Sequence, residues 1–269
     1  MAFDARFPAR LRDLGPIRGL EDDTEIIGID YRVRDGQLYG VGNAGGVYTL
    51  TRSATATTAA RVSQLTVAPS GSAFDADFDP VTDVLRVVSN TGQNLRHDLE
   101  GLGAAPGLQA VTRPGRTVAD KPLSTPPFPP PTAPATVATP PAAPSTSTAA
   151  LGFLGAAHTN NDLSPVTATA LFAVDTVTDR LSLQSPADIG ALIPVGDLRV
   201  AATGPVGFDV HSSLRGGVTV SNSAFATLKV ADRYGLYGLD LLTGAVNHHY
   251  GTFPAHRRVV DIAVQLNRG

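Results

Sequence analysis

Three observations in the sequence predict an all-β fold. Short runs rich in Val, Leu, Tyr and Thr are separated by Gly, Asn and Asp, as in residues 36–43, which is typical of strands joined by tight turns. Sustained helical periodicity is scarce, and only residues 188–192 suggest a short helix. Finally, one stretch of the chain repeats another, and this repeat favours one architecture among the all-β folds.

The repeat joins residues 28–50 to residues 75–97, which align without a gap. It superposes Asp30 on Asp77 and Asn43 on Asn90, at a spacing of 47 residues. A repeat of about 40–50 residues built from short strands is typical of a β-propeller blade. Further first-strand patterns begin near residues 155, 207 and 259, so the sequence predicts a five-bladed β-propeller, with a six-bladed ring as the alternative.

The last predicted blade begins so late that residues 259–266 supply only its inner strand. We expect residues 3–4 and 10–17 to supply its outer strands, so that N- and C-terminal strands close the ring and hide its sheet edges. Residues 1–269 then form a single propeller domain.

One segment departs from the strand pattern. Residues 121–150 hold ten of the 21 prolines, mixed with Ala, Ser and Thr. Such a composition favours polyproline II or disorder, so we predict a Pro/Ala/Thr-rich surface insertion. A ligand for a Pro-recognition module is the alternative, but the basic residues that commonly flank such ligands are missing.

Composition excludes several classes of function. The formal net charge is −3, which removes the electrostatic basis for general nucleic-acid binding. The chain has no Cys, so disulfides, thiolate metal sites and a Cys nucleophile are excluded. The sequence has no run of about 18 apolar residues, so it predicts no membrane-spanning helix. The first residues lack the basic and apolar regions of a signal peptide.

A series of motifs resembles the DUF4394 family of bacterial proteins. In order, they read GIDYRVRDGQLYGVG, SNTGQNLRHD, AAHTNNDLSPVTATALFAVDT, GFDV and RYGLYGLDLLTG. The resemblance covers nearly the whole chain from about residue 10, except the Pro-rich segment. It implies a propeller-like repeat domain of uncharacterised activity that is often exported in bacteria, and it transfers no catalytic residue.

Four aspartates share one position in the predicted inner strands: Asp30, Asp77, Asp209 and Asp261. Blade symmetry places them at similar distances from the ring axis. In one interpretation each accepts hydrogen bonds from N–H groups of the adjacent blade, fastening the blades together. In the other they hold a hard cation such as Ca²⁺ or Mg²⁺ in the central channel. We favour fastening, because repeated buried carboxylates need partners in every blade.

A second polar group lies near predicted strand ends: Asn43, Asn90, Asn94, Arg96, His158 and Asn160. Loops at one mouth of a propeller channel usually carry binding, so these are candidate ligand-binding residues. His158 is a candidate base or ligand, and Arg96 a candidate anion site. The alternative is that the asparagines serve only as turn and cap residues.

The sequence therefore predicts a binding propeller that recognises a small molecule or a protein partner at one face of the ring. The alternative is a propeller enzyme at the channel mouth, either a metal-dependent hydrolase resembling lactonases or a metal-free tailoring enzyme. The chain has only three Glu, none on a predicted inner strand, and no G-x-S-x-G motif. No catalytic residue is assigned on these grounds.

Overall fold

The computed structural model describes residues 1–53, 55–99, 115–126, 148–152 and 154–267. Its strands form four sheets arranged around a common axis, as in a propeller, together with a small hairpin. The described residues contain no α-helix, and one 3-10 turn lies at Ala187–Ile189. No helix among them is long and apolar enough to cross a membrane.

Each sheet is one blade, built mostly by antiparallel pairing of consecutive strands. The first blade contains β1 (Ile17–Arg18), β2 (Ile26–Tyr31), β3 (Leu38–Gly42), β4 (Gly46–Arg52) and β5 (Thr57–Gln64). The second contains β6 (Phe74–Phe78), β7 (Leu85–Ser89), β8 (Asn94–Asp98) and β9 (Arg116–Ala119). A hairpin follows, made of β10 (Ser124–Thr125) and β11 (Thr148–Ala149).

The remaining two blades follow the same plan. The third contains β12 (Leu154–His158), β13 (Leu171–Asp175), β14 (Arg180–Gln184) and β15 (Leu192–Asp197). The fourth contains β16 (Ala202–Arg215), β17 (Val218–Val230), β18 (Arg233–Leu239) and β19 (Val246–Thr252). The first strand of each blade except the first, and β2 in the first, lies innermost, and consecutive inner strands contact one another.

The core consists of apolar layers between successive blades. Tyr39 and Val41 of the first blade pack with Phe78 and Leu85 of the second. A comparable layer joins the third and fourth blades around the fully buried Phe208. Each blade buries its apolar faces against its neighbours, so a blade without a neighbour on one side exposes an apolar face there.

Residues 259–264, which we call the inner segment, occupy a fifth inner position. A Cβ added to Gly207 would lie 2.4 Å from the Cα of Asp261, so the two backbones are in close contact. The same closeness joins other inner strands, since a Cβ on Gly28 would lie 2.7 Å from Ala76 and one on Gly155 would lie 2.7 Å from Phe208. The lack of a side chain at these glycines therefore sets the spacing of the ring.

The predicted all-β, propeller-like arrangement is confirmed, but the predicted count of five blades is not. The described residues form four blades, and within them the inner segment forms no strand ladder. The predicted closure by N-terminal residues is seen as side-chain packing, because Phe3, Ala5 and Leu11 lie against the cluster that includes Val259 and Ile262. No strand pairing joins these two parts of the chain among the described residues. β1 instead pairs in parallel with β5 of the first blade. Gly15 and Gly19 explain this pairing, since a Cβ on either would clash with backbone carbonyl oxygens beside or within β5.

The ends of the predicted insertion contact the blades. Leu123 and Ala150 are buried in the apolar layer that includes Val88 and Leu154. Residues 127–147, the greater part of the Pro-rich segment, lie outside the described residues. That they form a surface insertion stays a prediction.

Candidate functional site

The four aligned aspartates fasten consecutive inner positions. Asp30 accepts a hydrogen bond from the N–H of Phe78 at 2.7 Å, and Asp77 accepts one from the N–H of His158 at 3.0 Å. Asp209 accepts from the N–H of Val264 in the inner segment. Asp261 completes the ring, because its carboxylate accepts a hydrogen bond from the N–H of Ile29 on the first blade at 2.7 Å. Each carboxylate thus bonds the next position around the axis.

The third blade lacks this aspartate and is fastened differently. Asp75 lies two residues before Asp77 on the same face of β6, and its carboxylate accepts a hydrogen bond from the N–H of Ala156 at 2.9 Å. Toward the fourth blade, the side chain of Asn161 donates to the carbonyl of Val210 at 2.8 Å, and its N–H donates to Ser212 at 2.8 Å. The sequence did not indicate that Asp75 or Asn161 fastens blades, although period-two alternation places Asp75 and Asp77 on one face of a strand.

The carboxylates crowd one another at the axis. One oxygen from each of Asp30, Asp77 and Asp209 lies within 4.8 Å of the others, and all three residues are buried. Burial, and then the charges of Asp77 and Asp209, raise the pKa of Asp30 well above its ordinary value. Burial and then Asp77 do the same to the pKa of Asp209. Such a cluster favours bound protons or a hard cation over a full set of bare charges.

Asp261 and Asp75 face each other within this cluster. Burial is the main cause that raises the pKa of Asp261 to about 7, from an ordinary value of 3.8. Burial, and then the facing Asp261, raise the pKa of Asp75 well above its ordinary value. The imidazole of His158 lies beside the cluster, and its Nδ1 contacts the Asp77 carboxylate.

The predicted binding residues have local structural partners. Asn43 accepts from the N–H of Thr24 at 2.9 Å, and Asn90 accepts from the N–H of Ser72 at 2.9 Å, so the aligned pair caps the same turn in two blades. Asn160 lies elsewhere, where its Oδ1 accepts from Asn222 at 2.7 Å.

Asn94, Arg96 and His158 are also engaged. Asn94 is buried and donates to the carbonyl of Ala187 at 2.9 Å. Arg96 forms a bidentate ion pair with Asp120 at 2.6 and 2.7 Å. His158 is 3 % exposed and lies against Asp77. The structure therefore brings Asn94 and Arg96 together on β8 but separates them from Asn43.

A cleft of about 1270 Å³ lies between the first and fourth blades, beside the inner segment. We call this space the end cleft. Ile29, Leu38 and Leu50 line it from the first blade, and Phe225 and Leu236 line it from the fourth. Residues 258–265 and parts of the N-terminal residues 1–17 also line it, as does Asn43. On the fourth-blade side, Phe3 and Ala5 of the N-terminal residues pack against the cluster that contains Leu236.

The family described as "Domain of unknown function (DUF4394)" matches residues 1–263. The chain belongs to the DUF4394 family. The matched range includes the four blades and nearly all of the inner segment. No curated protein matches the sequence.

Proposed function

We propose that this DUF4394 protein is a binding propeller that takes a ligand or partner in the end cleft. A fifth, incomplete blade position at the inner segment belongs to the same proposal. The single observation that carries it is the apolar cleft of about 1270 Å³ between the first and fourth blades. Protein sites for small molecules and peptides are characteristically concave and mostly apolar, with a few polar groups.

The polar residues of the inner strands support this choice. The carboxylates and amides near the axis already bond backbone N–H and C=O groups of neighbouring blades. At the end cleft, by contrast, apolar side chains remain accessible: Ile17 is 40 % and Val260 is 39 % exposed. Accessible apolar surface in a concave setting is typical of a binding site.

Titration with the fluorescent apolar anion 1-anilinonaphthalene-8-sulfonate tests the proposal. We expect binding at the end cleft with a rise in fluorescence. Val260→Asp places a carboxylate on the cleft wall, and because burying a charge beside an apolar ligand is costly, affinity falls at least about tenfold. Val220→Asp is the matched control, since Val220 is 59 % exposed on β17 and does not line the cleft. Equal affinities for the two variants contradict the proposal.

A second candidate function is a cation-dependent enzyme. The observation that favours it is the approach of the Asp30, Asp77 and Asp209 carboxylates, whose oxygens lie within 4.8 Å. Oxygen-only ligands in this number suit Ca²⁺ or Mg²⁺. A cation would also relieve the mutual repulsion that helps raise the pKa of Asp30.

Thermal unfolding with calcium and with a calcium chelator separates the two candidates. A cation at 100 times its dissociation constant stabilises the fold by about 2.7 kcal/mol. If the protein is a cation-dependent enzyme, calcium should stabilise the wild type in this way but should not stabilise the Asp30→Asn/Asp209→Asn variant. Identical unfolding of the wild type with calcium and with chelator contradicts the cation-dependent candidate and leaves the binding candidate in place.

A further inference from the structure

We propose that the inner segment accepts an extended strand from a partner protein, an apolar segment with acidic residues at its ends, which lies in the end cleft. This inference rests on the proposed function and adds the class of partner.

The inner strands all use the same backbone edge at the axis. In β6 the N–H groups of Ala76 and Phe78, two residues apart, donate to aspartate carboxylates. In the inner segment the N–H groups of Ile262 and Val264 do the same, to Asp261 and Asp209. The inner segment is therefore oriented like the inner strand of a blade.

The opposite edge distinguishes the inner segment from the blades. Successive N–H groups of an extended chain point in opposite directions, so those of Asp261 and Ala263 point away from the axis. In β6 the corresponding edge pairs with β7 along its whole length. Across the described parts of the chain, no backbone hydrogen bond reaches residues 259–264 from another strand. An unpaired edge beside a cleft is what β-strand addition requires.

The walls of the cleft define the side chains of the partner strand. A strand paired with the inner segment would present alternate side chains to the two neighbouring blades. One wall contains Ile29 and Leu50, and the other contains Phe225 together with Phe3 and Ala5, which pack on the fourth blade. Since both walls are apolar, both faces of the partner strand should be apolar, unlike the alternating pattern of a half-exposed strand.

The rim charges favour acidic ends on the partner strand. Arg52 and Arg258 line the cleft and are exposed, and neither forms an ion pair with any residue that the structure describes. Glu25 is an exposed acid on the lining, whereas the carboxylate of Asp261, which also lines the cleft, accepts hydrogen bonds from the N–H groups of Ile29 and Ile262. The two exposed arginines therefore leave the rim with an excess of positive charge. Aspartate or glutamate at the ends of the strand would complement it.

The probe for the test is a synthetic peptide with a central run of valine and isoleucine and an aspartate pair at each end. The matched control peptide has the same side chains but N-methylated amides along one edge, which removes ladder donors and keeps the apolar surface. We expect calorimetric binding of the first peptide and at least about tenfold weaker binding of the second, equivalent to 1.4 kcal/mol or more.

Two variants of the protein test the accepting edge. Ala263→Pro removes an N–H that points to the cleft, so we expect at least about tenfold weaker peptide binding, while binding of the naphthalene sulfonate is unchanged. Ala263→Gly keeps the N–H and should bind the peptide like the wild type. Replacing the aspartates of the peptide by lysines should also weaken binding at low salt.

Each other outcome overturns the inference in a recognisable way. Equal binding of the methylated and unmethylated peptides would show an apolar site without strand pairing, and the proposed function would survive. The same holds if the peptide fails to bind while the naphthalene sulfonate binds. Failure of both probes would overturn both proposals. A concentration-dependent dimer in light scattering that excludes the peptide would assign the edge to a second copy of this chain.

Discussion

Replacing Asp261 by Asn should change how the stability of the protein depends on pH. The Asp261 carboxylate joins the inner segment to the first blade through the N–H of Ile29 and faces Asp75 within the axial cluster. Burial raises its pKa to about 7, against 3.8 for an ordinary aspartate. The asparagine keeps the size of the side chain but cannot gain or lose this proton.

The sign and size of the effect follow from proton linkage. Between pH 3.8 and about 7, Asp261 binds a proton in the folded state but has released it in the unfolded state. The stability that comes from this proton is complete below pH 3.8 and is lost as the pH rises through about 7. At 1.36 kcal/mol for each pKa unit, the loss amounts to at most about 4 kcal/mol.

The assay is urea unfolding of the wild type and Asp261→Asn at intervals from pH 4 to pH 8, with a chelator and, in a parallel series, without it. The advantage of the wild type over the variant should shrink by about 2–4 kcal/mol across this range. The lower figure allows for Asp75, whose raised pKa depends in part on Asp261 and so changes in the variant. Asp22→Asn, at a side chain that is 84 % exposed, is the matched control and should show no such trend.

Two results would refute the reasoning. A difference between wild type and variant that stays constant with pH would mean that Asp261 binds no extra proton in the folded state. A wild-type advantage that grows with pH, and that the chelator abolishes, would mean that a cation rather than protons neutralises the axial cluster. The second result would favour the cation-dependent enzyme.

Burial lowers the pKa of His97 to about 4 from 6.5, so the stability that neutral His97 contributes is lost as the pH falls below 6.5. His97→Gln should therefore reduce the acid destabilisation by up to about 3 kcal/mol, as measured in a pH series of melting curves. Gly207→Ala should cost at least about 2 kcal/mol in urea unfolding because its Cβ would overlap the inner segment, whereas Gly216→Ala, at positive φ but in open space, should cost about 1. Deleting residues 128–146 should leave the melting temperature nearly unchanged if they form a surface insertion, since loop entropy varies slowly with length, and a large fall would contradict the insertion.

The repeat in the sequence predicted much of the ring because it records local geometry. The spacing of 47 residues between Asp30 and Asp77 aligned two inner strands, and both aspartates fasten the next blade as the favoured interpretation expected. Asn43 and Asn90 likewise cap equivalent turns. Strand alternation and turn chemistry act over a few residues, so a single sequence displays them.

Contacts between distant segments were not predictable in the same way. The pairing of β1 with β5 depends on Gly15 and Gly19 fitting against carbonyl oxygens of a strand about 40 residues away, and no repeat marks that fit. The bonds of Asn161 across to Val210 replace an aspartate that the third blade lacks, and substitution of one device by another erases the pattern. The end cleft has no sequence signal because it arises from an uncovered face.

The axial bonds and the open edge have one common cause. An extended chain has two hydrogen-bonding edges, and the aspartates of this ring occupy only the edge at the axis. In the four blades the other edge continues into a sheet, but in residues 259–264 it borders an apolar cleft. Asp209 and Asp261 hold the inner segment in the geometry of a blade strand without requiring a blade around it. A strand that binds there would gain ladder hydrogen bonds and contact with two apolar walls, without the cost of ordering the accepting edge. Because this edge is preorganised, we propose binding at the fifth position rather than at the channel mouth.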